Sequence, residues 1–298
     1  MEFGFLIDKR SFEFDCFKIA PKDNFEDILH NFYENAEVSN GWFYGRKVNL
    51  QKNFQEKRDF MSDAPTIHSS FFEVTPTHTI NWSKNCTEEH IRFLILGYGF
   101  LQGLYLISEG WSHLGRTAYR PGLLNGLYLS HNDYHNGMKQ INSFYLESSA
   151  EVRKNMFACI HWFLLGQSYE YEWDRFDAQY KVLDGIFNVS RTMCPQDPKK
   201  RYTHSERPEY LAKYYSIDLP NWAKSESDGR SKLTKLRNAL THEAIYAGQP
   251  IGLNYPEENY TLEFRAFNVK LISACLGLKT PYLNVPVDCR LAQLWNFD

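Results

Sequence analysis

Between residues 132 and 190 the chain carries an almost unbroken helical pattern, and this stretch constrains the fold more than any other. One helix is expected over about 132–147. A second, over about 150–169, sets Val152, Met156, Cys159, Ile160 and Phe163 at helical spacing. A third, over about 173–189, carries Phe176, Tyr180, Leu183 and Phe187 at three- and four-residue steps. Three successive amphipathic helices must bury their apolar stripes against one another, so this part of the chain reads as a helical bundle. Met193-Cys194-Pro195 and Asp197-Pro198 close the block.

The flanks differ. A helical regime opens at Cys86-Thr87-Glu88-Glu89, where Thr87 suits an N-cap and the glutamates suit the positive end of the helix dipole. Its apolar run is expected to reach about residue 111. After a polar stretch with one short helix at 205–215, further helices are expected over 231–247, stopped by Gly248 and Pro250, and over 259–276. Before residue 86, short aromatic and β-branched segments at 3–7, 12–19, 70–74 and 78–82 read as strands, with a short helix at 27–37. The expected fold class is therefore α+β. A small β-rich accessory domain (1–86) precedes a larger helical domain (87–298), whose core spans about 150–280.

A net charge of −3 and a pI near 6.4 exclude a protein that holds nucleic acid by bulk charge, though not one with a local basic site. No basic leader followed by a long apolar run opens the sequence, and the apolar stretch 93–107 is too short to span a membrane and contains Gln102. The six cysteines include no CxxC pair and read as free thiols. A cytoplasmic protein without a membrane segment is expected.

The chemistry concentrates in the run Lys232-Leu233-Thr234-Lys235-Leu236-Arg237-Asn238-Ala239-Leu240-Thr241-His242-Glu243. At about 100° per residue, Leu233, Leu236, Leu240 and Ala244 fall within an arc of roughly 80°, a face expected to be buried. Arg237, Thr241, Asn238 and His242 follow at about 40°, 80°, 140° and 180° from Leu233, forming a polar edge beside it. Histidine both accepts and donates a proton near neutral pH. Arginine offers a permanent planar charge suited to phosphate oxygens. Together they fit cleavage of an RNA phosphodiester by the ribose 2′-hydroxyl, with the guanidinium stabilising the phosphorane; RNA brings its own nucleophile, so no metal or other cofactor is called for.

This spacing, Arg-Asn-x-x-x-His on a late helix, resembles the signature of the HEPN superfamily. Arg237, Asn238 and His242 match its arginine, following polar residue and histidine. Trp173-Asp174-Arg175-Phe176 and Tyr180-Lys181-Val182-Leu183-Asp184 are similar to the upstream helices of ApeA-like members. The likeness covers about residues 150–280. It implies a metal-independent endoribonuclease acting on single-stranded RNA as a homodimer with two facing motifs, in antiviral defence or as a toxin. Arg237, Asn238 and His242 would then be catalytic. The sequence departs from the tyrosine-modified toxin branch, because Glu243 and Ala244 follow His242 and Tyr246 comes a turn later.

Lysines and arginines from Lys199, Lys200 and Arg201 through Arg207 and Lys213 to Arg237 outnumber the acids around them, giving a basic approach to the motif. Of these, Lys232 and Lys235 share the motif helix and are the expected RNA contacts. An alternative is a catalytically inactive module that binds RNA, a nucleotide or a protein partner through the same helix. His131 and His135 stand one helical turn apart but have no third ligand in sequence, and the acids Glu170, Glu172, Asp174 and Asp177 fit a helix N-terminus. Gly97, Gly99 and Gly103 read as helix-packing positions.

Overall fold

The computed structural model describes residues 1–35, 37–45, 47–49, 66–68, 71–194, 201–253, 260–287 and 294–295. Pro195, Asp197, Pro198, Lys199, Lys200 and Cys289, one of the six cysteines, lie outside them. The fold is α+β, with eight α-helices and a set of small sheets among the described residues, antiparallel except for one parallel pair between Tyr128–Leu129 and Leu294–Trp295.

The largest sheet has five strands: β1 (Glu2–Gly4), β2 (Phe12–Glu13), β3 (Phe17–Pro21), β4 (His78–Trp82) and β5 (Ile107–Ser108). Their spatial order is β5-β1-β4-β3-β2, every pair antiparallel, with Ile19 opposite Ile80 and Phe3 between Ser108 and His78. Alternation along β3 turns Phe17 and Ile19 inward and leaves Lys18 exposed. The short helix α1 (Phe25–Asn35) packs beside the sheet, where Phe5, Ile28, Phe32 and Phe43 form a small core of their own.

The helices α2 (Glu88–Gln102), α3 (His131–Glu147), α4 (Ala150–Gln167), α5 (Glu172–Met193), α6 (Glu206–Tyr215), α7 (Lys232–Glu243) and α8 (Thr261–Cys275) make up the remainder. Thr87 caps α2 through a bond from the His90 amide. From His90 to Gln102 all but Arg92 are buried, as expected for a helix apolar on every side. Tyr98 meets Phe3 and Phe12 of the sheet edge-on, while Phe100 meets Phe163 of α4. Helix α2 thus joins sheet to bundle.

One expectation about α2 needs correction. The helix ends at Gln102, not near 111, because Gly103 adopts φ +64 and closes it in the left-handed region. The chain released there supplies β5 at the edge beside β1, and its continuation 116–118 pairs with 42–44. The sheet is therefore completed from beyond residue 86. One continuous core runs from Phe3 and Ile80 through Tyr98 to Leu183 and Leu271.

Helices α4 and α5 approach closely because small residues face each other. A Cβ on Gly185 would lie 2.6 Å from Cys159 Sγ, and one on Gly166 would overlap the Ala178 Cβ. Asn268 of α8 donates to the Gln179 carbonyl at 2.9 Å and to its side chain at 2.6 Å, locking α8 onto α5. The five described cysteines are free thiols.

Candidate functional site

Helix α7 is pinned at its start by hydroxyls. Ser231 accepts from the Thr234 amide at 3.1 Å, and the Ser231 and Ser205 hydroxyls both donate to Thr234 Oγ1 at 3.0 Å. Leu233 and Leu236 are buried beneath it. The apolar face then fades: Leu240 is half-buried and Ala244 is exposed. The helix stops at Glu243, four residues sooner than expected, with Ala244 at φ +54. Ile245–Tyr246 and Gln249–Pro250 form a hairpin across Ala247 and Gly248, both at positive φ. Gly248 serves as a two-residue turn, not a helix stop.

Arg237, two turns into α7, leans over the ring of Tyr180 on α5, its guanidinium carbon 5.8 Å from the ring centroid. Its Nη1 donates to Asn238 Oδ1 at 3.0 Å. No carboxylate pairs with it among the described residues. His242 stands exposed in the last turn, as do Thr241 and Glu243. No hydrogen bond or ion pair joins His242 to Arg237 among the described residues. Arg237 and Asn238 are thus brought together, and His242 is set apart at the open end of the same helix.

The imidazole beside Arg237 is a different one. His204 lies 5.8 Å from Tyr180 at an interplanar angle of 45°. Its Nδ1 is 3.7 Å from Asp184 Oδ1, which also accepts a 2.6 Å bond from Arg207 Nη1. Burial holds the His204 imidazole below its ordinary pKa, and the Arg207 and Arg237 charges lower it further, with Asp184 opposing. Burial, with Asp184 nearby, pushes the Tyr180 hydroxyl up to about 12. Two guanidiniums and one carboxylate leave this cluster with surplus positive charge. Arg207 stands in the basic approach expected from the sequence; His204 and its packing on Tyr180 are the part of the cluster that the sequence pattern leaves out.

Lys232 and Lys235 flank a cleft of about 470 Å³ whose floor includes Leu236 and Ala239. On the helix wheel this face lies about 150° from Arg237, so the lysines and the arginine serve different sides of α7. Lys235 is engaged by Glu226 at 2.7 Å and Asp228 at 3.0 Å. These pairs raise its pKa and lower that of Asp228.

His131 and His135 stack on Phe12 and Phe14, at ring distances of 5.2 and 4.8 Å. No cluster of three or more His, Cys, Asp or Glu side chains suited to a metal occurs among the described residues. Glu172 and Asp174 occupy the first turn of α5, and Asp177 pairs with Lys181 at 2.8 Å. Among the described residues, no helix is long and apolar enough to cross a membrane. Compared with known protein families, curated proteins and solved structures, the chain matches none.

Proposed function

We propose that this protein is a metal-independent endoribonuclease that cuts single-stranded RNA at the open end of α7. The observation that carries this reading is Arg237: a half-buried guanidinium, held by Asn238, with no carboxylate among its described partners. A cation left unneutralised beside Arg207 and His204 favours an anion, and its planar donors fit phosphate oxygens. In this reading Arg237 stabilises charge on the phosphorane, Asn238 fixes its orientation, and His242 takes and returns the proton. Lys232 contributes to backbone attraction.

Residues five apart on a helix diverge by about 140°, so one copy's Arg237 and His242 do not grip a single phosphate easily. A homodimer pairing the two open ends resolves this, as the HEPN resemblance implies. The Ile251 amide bonds the Ala244 carbonyl at 3.1 Å, which sets an exposed Ile251 beside that end, with exposed Leu253 following. Apolar side chains there suit a contact between copies. Defence or toxin activity and a cytoplasmic setting belong to the same proposal.

The test of the chemistry is the product. Single-stranded RNA cut in chelator is expected to end in 2′,3′-cyclic phosphate, and a 2′-deoxy substitution at the scissile nucleotide to block cutting there. Products with 3′-hydroxyl ends, or cutting that depends on added metal, contradict it. A second reading, an RNA-binding module without turnover, is favoured by one observation: no side chain orients His242 among the described residues. That reading expects salt-sensitive RNA binding with no product.

A further inference from the structure

A second candidate site lies where α2, α4 and the segment 105–111 meet, and none of its lining residues belongs to α7. They enclose a cavity of about 310 Å³. Its floor is aliphatic, from Ile95, Leu96 and Leu106, each no more than 3% exposed. Rings border it: Phe157 and Trp162 at the two edges of the α4 face, the Trp162 ring carrying Lys181 Nζ over one side at 4.6 Å, and Trp111 at the mouth, 54% exposed. An indole left this open beside a cavity is unusual for a side chain that could have been folded inward.

Polar groups are few and specific. Tyr105 Oη and His161 Nδ1 are 3.1 Å apart, an arrangement that leaves Nε2 as the ring's remaining hydrogen-bonding atom. Burial depresses the His161 pKa, and it pushes the Tyr105 hydroxyl up to about 12, so both stay uncharged at neutral pH. The one formal cation in the lining, Arg92, is already engaged: it donates to Ser108 Oγ at 2.8 Å and to Glu88 at 2.7 Å. Such a lining suits neither a nucleotide nor a sugar, whose many polar edges would lose water without finding partners. The bordering rings disfavour a flexible acyl chain, which would lose rotamer freedom without stacking.

We propose that this cavity is a binding site for a small, uncharged, planar aromatic molecule carrying one hydrogen-bonding atom, stacked among the rings of Phe157, Trp162 and Trp111 and anchored through His161 Nε2. Nothing in the α7 chemistry requires it, and the cavity shares no residue with that site.

The test uses 1-naphthol as probe, followed by calorimetry and ligand-observed NMR, with naphthalene, 1-octanol and adenosine as comparisons. The expected result is saturable one-to-one binding of 1-naphthol, at least about tenfold tighter than 1-octanol or adenosine. Ala158→Trp adds bulk at an exposed position in the lining and is expected to abolish it. His161→Phe keeps a ring but removes the nitrogen, so it should weaken 1-naphthol about tenfold while leaving naphthalene within about threefold. That ratio is read on folded protein whatever becomes of Ala158→Trp. An Arg237→Ala control is expected to bind 1-naphthol like wild type. No saturable binding below about 1 mM, tighter binding of 1-octanol or adenosine, or equal loss for naphthalene and 1-naphthol in His161→Phe would overturn the assignment.

Discussion

The Arg237 guanidinium donates to the side-chain oxygen of its neighbour Asn238 at 3.0 Å and leans on the Tyr180 ring. The Asn238 bond orients the charge without cancelling it. Removing the bond and cancelling the charge should therefore differ. Asn238→Ala loses one neutral acceptor, worth about 1 kcal/mol, and is expected to slow RNA cleavage roughly five- to tenfold. Asn238→Asp puts a carboxylate on the guanidinium and is expected to weaken RNA binding more than the alanine does. Comparing dissociation constants at one fixed salt concentration checks the order.

His204 reports the field around Arg237. Arg237 and Arg207 lower its pKa and Asp184 raises it. NMR titration of the imidazole is expected to move upward in Arg237→Ala and downward in Asp184→Asn. Identical titration curves in both variants would show that the cluster does not share one field.

Acid should destabilise the fold through His78 and His113. His78 and His113 are buried, and burial brings each down to about 4. In the unfolded chain both take up protons near 6.5, so the unfolded state binds more protons than the native one between pH 6.5 and 4. Stability is expected to fall as pH drops through that window, by roughly 3 kcal/mol at most for each histidine. Thermal unfolding across pH 4–7 measures it, and His113→Phe should flatten the curve.

Lys235 is held by Glu226 and Asp228 on an exposed surface. Freeing it should help RNA. The Glu226→Gln/Asp228→Asn double variant is expected to bind RNA more tightly and with a steeper salt dependence than wild type, whereas Lys235→Ala should change binding little.

The α4–α5 seam tolerates no added methyl. Gly185→Ala drives a Cβ toward Cys159 Sγ, 2.6 Å away, and is expected to cost about 1–3 kcal/mol in denaturant unfolding. Adding Cys159→Ala makes room, so the double variant should be more stable than the sum of the two singles implies.

Much of this fold was legible because long amphipathic helices announce themselves by period. The spacing over 132–190 places α3, α4 and α5 to within a few residues, and Thr87 is the α2 cap that its sequence context suits. What failed was local. Gly103 interrupts an apolar run whose periodicity continues past it, so a helix end and an edge strand looked like more helix. The α7 end was hidden in the same way, because Ala244 in the left-handed region carries no glycine to mark it. At the site, sequence spacing put Arg237 and Asn238 side by side but said nothing of which ring they would meet. Tyr180, Asp184, His204 and Arg207 come together only through the packing of α5 against the start of α6.

The most direct measurement is cleavage of a single-stranded RNA in chelator by wild type, Arg237→Ala and His242→Ala, with binding measured separately on the same proteins. His242→Ala is expected to bind the RNA still while its cleavage rate falls by at least about 100-fold, and Arg237→Ala to lose both binding and rate. Equal cleavage rates in all three proteins would contradict it.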